Sequence, residues 1–235
     1  MFETRREAGV LTLARPATTW LSTGWRGGRR TADAAHWVSV PEGWYPTDIG
    51  RDVTDRLAAA GVDWGDEPIL LTGVELDHAR GARCGEVVAY ATAGLSNPAA
   101  LPMDPGGGAL PEAEWQAGTV NVAVGTECVL TEGALANLVA VAAEAKAATL
   151  LHHTDYPGTT SDAVVVACGR DGTPRSYSGS ATRIGSAARA SVREAVAAAL
   201  DARQGLDETP ASVADAEHGV VTDVAATVFD PVTDG

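Results

Sequence analysis

Lys146 is the only lysine in a chain of 235 residues; every other fixed side-chain cation is an arginine. It lies in the stretch from Gly118 to Asp162, which reads G-T-V-N-V-A-V, then an Ala- and Leu-rich run around E-A-K, then G-T-T-S-D. An ammonium, a carboxylate at Asp162 and the hydroxyls before it are groups that bind amides, move protons and steady developing negative charge. At 100° per residue, Leu135, Leu138, Val139, Ala142, Ala145, Thr149 and Leu150 share an apolar arc of roughly 140°, and Lys146 falls inside it. Glu144, two residues earlier, points nearly the opposite way. A lysine on a core-facing helix surface must snorkel, pair with a carboxylate or line a cavity, since a buried unpaired ammonium costs several kcal/mol. A structural ion pair and a site lysine both satisfy that demand.

The elements that must position these groups are legible in outline. Thr119 to Val124 alternates as a strand, with Val120, Val122 and Val124 on one face and Thr119 and Asn121 on the other. That polar pair is either a packing detail or part of a site. Thr131 is a suitable N-cap for the lysine helix, which ends near His152, His153 and Asp155. Adjacent histidines diverge on a helix and the H-x-x-x-H spacing is absent, so no metal site is expected there; cations at a helix C-terminus are the better account.

Further strands are expected at 9–13, 18–22, 36–40, 69–74, 86–93 and 163–167, with an edge strand at 176–178. A helix capped by Thr47 or Asp48 should run to about Ala60 and stop at Gly61, and another should span 186–203. S-T-G-W-R-G-G is a turn-rich loop carrying Trp25, and the Gly- and Pro-rich stretch 95–117 has the length of a functional loop. Residues 1–204 read as one catalytic domain and 205–235 as an acidic, mobile tail in which V-V-T-D-V could add an edge strand. The pattern argues for an α+β fold of mixed sheets packed with helices, with an αββα sandwich as one form of it.

A net charge of −14 and a pI near 4.6 make nucleic acid and anionic lipid poor partners. Lysine scarcity with abundant Asp, Ala, Val and Thr fits a salt-adapted archaeon. Cys84, Cys128 and Cys168 have no C-x-x-C spacing and suggest reduced thiols, not a disulfide framework or a zinc site. No apolar leader or membrane-length apolar run is seen, so a cytoplasmic protein is expected. Homo-oligomerisation stays open.

Taken in order, L-S-T-G-W-R-G-G (21–28), A-G-L-S-N (93–97), G-T-V-N (118–121), E-A-K (144–146), G-T-T-S-D (158–162) and S-G-S-A-T-R-I-G (178–185) resemble the adenosylcobinamide amidohydrolase family of corrinoid salvage enzymes. The resemblance covers about residues 15 to 203, and the Gly-rich stretch 104–108 looks like an enlarged loop beside it. It implies hydrolysis of the amide between aminopropanol and the propionyl side chain of the corrin ring, with cobalt arriving only in the substrate and no cofactor of the protein's own. A weaker similarity links the Gly-Thr strand, helix and G-T-T-S-D segment to the P1-type aminopeptidases and ornithine acetyltransferases. That similarity implies an αββα fold and a nucleophile, here Thr119, freed by self-cleavage after Gly118.

Amide hydrolysis needs a nucleophile or activated water, donors for the oxyanion and an acid for the leaving amine. Thr119 is the candidate nucleophile, with its own freed amine or Lys146 as base. Asp162 would orient Lys146 or activate water, and Asn97 and Asn121 offer amide donors. Ser96, Glu144, Gly158, Thr159, Ser161 and Trp25 complete the set as substrate contacts, Trp25 by stacking. A non-catalytic corrinoid-binding or carrier module is the alternative function.

Overall fold

The computed structural model of the chain describes residues 2–41, 43–44, 46–110, 119–203, 210 and 212–231. In chain order the elements are β1 (Glu3–Glu7), β2 (Val10–Ser22), β3 (Gly28–Ser39), α1 (Ile49–Ala59), β4 (Ile69–Thr72), β5 (Arg80–Cys84), β6 (Val87–Ala93) and β7 (Pro98–Ala100). They continue with β8 (Val120–Val129), α2 (Glu132–His153), β9 (Gly158–Thr159), β10 (Val164–Gly169), α3 (Arg183–Asp201) and β11 (Val220–Val221). Eight strands form one sheet in the order β4-β3-β2-β10-β8-β6-β5, with β1 added to β2. The β3/β4 and β8/β10 pairs are parallel and the others antiparallel, so the sheet is mixed.

The α+β expectation therefore holds. The second sheet, β11-β7-β9, has strands of only two or three residues. Its strands are too short to make a second layer of their own.

Alternation along the central strands decides which face the helices cover. Val120, Val122, Val124, Val164 and Val166 turn toward Leu135 and Leu138 of α2 and Ala188 and Val192 of α3. Their neighbours Ala123, Val165 and Ala167 turn the other way, into a cluster with Leu11, Leu13, Trp20 and Trp37. No α-helical residue enters that second cluster among the described residues. Phe2 covers part of it: its ring lies against Trp20 at 5.4 Å, and a Cβ added at Gly125 would come within 2.1 Å of it. Helix α1 starts at Asp48, whose carboxylate accepts from Arg51 N at 3.0 Å, and buries Val53 and Leu57 against Val10, Val38 and Ile69. Gly61, at φ +68°, follows it.

Three local expectations are corrected. The strands expected at 9–13 and 18–22 are one strand, β2, that absorbs Arg15-Pro16-Ala17 as a bulge, with the register shifting between Ala14 and Thr18. A bulge removes the need for the proline's missing donor. Residues 176–178 form no strand; only Arg175 makes an isolated bridge, to Leu130. Strands β1 and β5 carry five and four exposed residues with little apolar alternation, so neither is expected from the sequence. V-V-T-D-V does add an edge strand, β11, while 204–209, 211 and 232–235 lie outside the described residues.

His36, on β3, is buried, with Nδ1 2.9 Å from Thr12 Oγ1. Burial holds its pKa below the usual histidine value, with Glu67 opposing more weakly. Above about 6.5 both folded and unfolded chains carry it neutral; below that the unfolded chain takes a proton that the folded one resists. The protein should therefore lose stability as pH falls from about 6.5 through the lower folded value. Urea unfolding of wild type and His36→Gln across pH 7 to 5 checks this: the variant should show the shallower decline, and parallel curves would refute it.

Candidate active site

Thr131 begins α2, its Oγ1 accepting from Ala134 N at 3.3 Å, and this sets the phase that turns Lys146 inward. Lys146 is 7% exposed, and its ammonium is ion-paired and hydrogen-bonded to Asp162. Asp162 stands in the turn between β9 and β10. Its Oδ1 accepts from Val120 N at 2.7 Å and from the Thr159 hydroxyl, and its Oδ2 accepts from Thr159 N at 3.0 Å and from Lys146. Four donors saturate the acceptor sites of one carboxylate. The group is thus a clamp between α2, β8 and β9, with little capacity left to take a proton from water.

Gly158 is what lets β9 approach so closely. A Cβ there would lie 2.5 Å from Asp162 Oδ2 and 3.0 Å from Lys146 Nζ. Next door, the sheet curls until β4, at its edge, reaches the start of β8. Asn121 Nδ2 donates to Leu71 O at 2.7 Å and its Oδ1 accepts from Ala163 N at 3.1 Å. Thr119 Oγ1 donates to Thr72 Oγ1 at 3.1 Å, which is itself 3.5 Å from Thr92 Oγ1.

A cavity of about 1340 Å³ opens at this junction, lined by Thr119, Asp162, Ser161, Ser96, Asn97 and Trp25 among others. That exceeds the roughly 300–1,000 Å³ of an ordinary small-molecule pocket. Trp25 also packs against Trp64 at 5.9 Å and carries the Arg26 guanidinium 4.6 Å from its ring centroid. Arg203 is on the wall as well; burial holds its pKa below the usual arginine value, against a weaker opposing pull from Glu75.

Of the candidates named from sequence, Thr119, Asp162, Asn97, Ser96, Ser161 and Trp25 meet on this wall, with Lys146, Gly158 and Thr159 packed directly behind Asp162. Asn121 is not on the lining and has both ends of its amide engaged, which makes it a fastener of β4, β8 and residue 163. Glu144 is at the surface, paired with Arg189 at 3.1 Å. The Lys146 ammonium meets Asp162 and not the Thr119 hydroxyl. Gly118 lies outside the described residues. Thr72 and Thr92 were not foreseen, although each is the lone threonine in a largely apolar strand, which is the signal that could have found them. His153 reaches the cavity, but among the described residues no three His, Cys, Asp or Glu side chains group closely enough to share a metal ion.

A sequence model of the adenosylcobinamide amidohydrolases matches residues 1–208. The chain belongs to that family. Among family members, it is 59% identical over 233 residues to the adenosylcobinamide amidohydrolase of Halobacterium salinarum, covering 98% of this chain and 100% of that one. It is 28% identical over 194 residues to the adenosylcobinamide amidohydrolase of Methanosarcina mazei, covering 78% and 90%. Helix α2 packs into the core. By length and composition it is apolar enough to cross a membrane, yet it packs against α3 and β10 and half of its most apolar window is buried.

Proposed function

We propose that the chain hydrolyses adenosylcobinamide at the amide joining aminopropanol to the corrin side chain, giving adenosylcobyric acid and aminopropanol. The observation that carries this reading is the Lys146–Asp162 pair, held beside Thr119 at a cavity wide enough for a large ligand, in a chain of this family. Thr119 is the attacking group. Asn97, on the same wall, donates to the oxyanion, and Lys146 with Asp162 fixes the start of β8 on which Thr119 sits.

Thr119 Oγ1 directs its proton to another hydroxyl, which is no base. The base that completes the chemistry is then the α-amine of Thr119 itself, exposed by cleavage of the preceding bond, as the P1-type similarity implies. Intact-protein mass spectrometry should show two chains split at that bond. A single uncut mass would exclude self-processing and leave activation to come from a group on the substrate or from water.

Incubation of purified protein with adenosylcobinamide should yield adenosylcobyric acid. Binding without product would make the chain a corrinoid carrier. Thr119→Val keeps the β-branched shape of the strand and deletes the hydroxyl. Its turnover should fall by about 10²-fold or more, the scale of losing a reacting group. Full activity would move the attack to a water molecule near Asp162.

A further inference from the structure

We propose that residues 212–224 form one wall of the corrinoid site and contribute Asp215, Glu217 and His218 as contacts to the substrate's peripheral amides. This rests on the proposed function and names a part of the same site. All three residues line the cavity that Thr119 and Asp162 line. Carboxylates and imidazole accept from amide N–H groups, and a corrinoid carries such groups all around its ring.

The segment is held there by a specific receptor. β11 lies parallel to β7, with Val220 opposite Ala99 and Val221 opposite Ala100, and Thr222 N donates to Ala100 O at 2.9 Å. Asp223 then grips the glycine run 106–108: its carbonyl accepts from Gly107 N at 3.1 Å and Gly108 N at 2.9 Å, and its carboxylate from Gly106 N. Gly107, at φ +91°, holds a conformation that favours glycine, and a Cβ at Gly106 would come within 2.8 Å of Asp223 Oδ2. The glycine run lies within the family match, which ends at residue 208, and Asp223 lies beyond it.

β7 also pairs with β9, Ala99 opposite Gly158 and Pro98 opposite Thr159. One three-stranded sheet thus joins the segment to the strand that packs on Lys146 and Asp162. Among the described residues of the segment none is buried, so backbone hydrogen bonds and not a core hold it in place. Elements held that way open at low free energy, and a ligand that touches them favours the docked state.

The test uses the full chain. Thr222→Pro/Asp223→Ala removes one backbone donor and the carboxylate grip; Glu217→Ala removes a proposed contact while leaving the grip. Adenosylcobinamide binding by equilibrium dialysis should weaken about tenfold or more in the first and severalfold in the second, with the loss falling on KM more than on kcat. Hydrogen exchange within 212–224 of wild type should slow when adenosylcobinamide is added. Unchanged affinity in both variants, or exchange indifferent to the ligand, overturns the proposal while leaving hydrolysis by wild type intact. A wild type that neither binds nor hydrolyses adenosylcobinamide overturns this proposal and the function together.

Discussion

Asp162→Asn is expected to lower turnover on adenosylcobinamide by about 10²-fold, the scale of displacing a reacting group by about 1 Å when the clamp that fixes the start of β8 is broken. It should also destabilise the fold by about 3–5 kcal/mol, as breaking one side of a buried ion pair does. The amide offers one acceptor oxygen where the carboxylate receives four donors, and its NH₂ would be pressed against Lys146 or Thr159 N. Lys146→Met keeps most of the stem's volume and leaves Asp162 with its three other donors, so its stability cost should be smaller. The double variant separates structure from chemistry. Combining the two removes both charges, so stability should recover in part while turnover does not. Urea unfolding and steady-state hydrolysis measure the two effects independently. Wild-type turnover in Lys146→Met would reduce the pair to a structural bridge and remove it from the site.

Gly158→Ala should be nearly as damaging through a single methyl group. The added carbon would stand 2.5 Å from Asp162 Oδ2 and 3.0 Å from Lys146 Nζ, and both atoms are pinned by other partners. The pair or β9 must shift, and a displacement near 1 Å at a reacting centre can cost about 10²-fold in rate. Gly133→Ala is the control, since a Cβ there meets nothing within 4 Å. In the first turn of α2 the same substitution should be neutral or stabilising by up to about 1 kcal/mol. A Gly158→Ala protein with wild-type kcat would show that the close approach has no bearing on chemistry.

The inward lysine, its helix and the carboxylate downstream were readable because each follows from one local rule: helical phase, an N-cap, a hydroxyl-rich turn before an apolar strand. The partnership between Lys146 and Asp162 was readable as a requirement, since a core-facing ammonium needs an anion. What resisted sequence reading is non-local. Thr72 reaches the site only because the sheet curls β4 toward β8, and nothing in I-L-L-T announces the curl. Strand β1 is exposed at every position, so it lacks the alternation that marks a strand, and only its pairing with β2 defines it. Asn121 looked like a free donor because its burial partners, Leu71 and Ala163, lie far away or on another strand. Glu144 came with its neighbour Lys146 in E-A-K, yet helical phase sends the two side chains to different surroundings.

A chain with one lysine, and that one shielded, answers differently from most proteins to reagents that acylate amines. Apart from the α-amine of the chain and the one that self-cleavage would free at Thr119, there is a single target, and it is only 7% exposed. The mass increment on the peptide that carries Lys146 is therefore a clock for one event, the parting of α2 from the turn that holds Asp162. Its rate, followed with and without a bound ligand, would read the opening of this one place without an engineered probe.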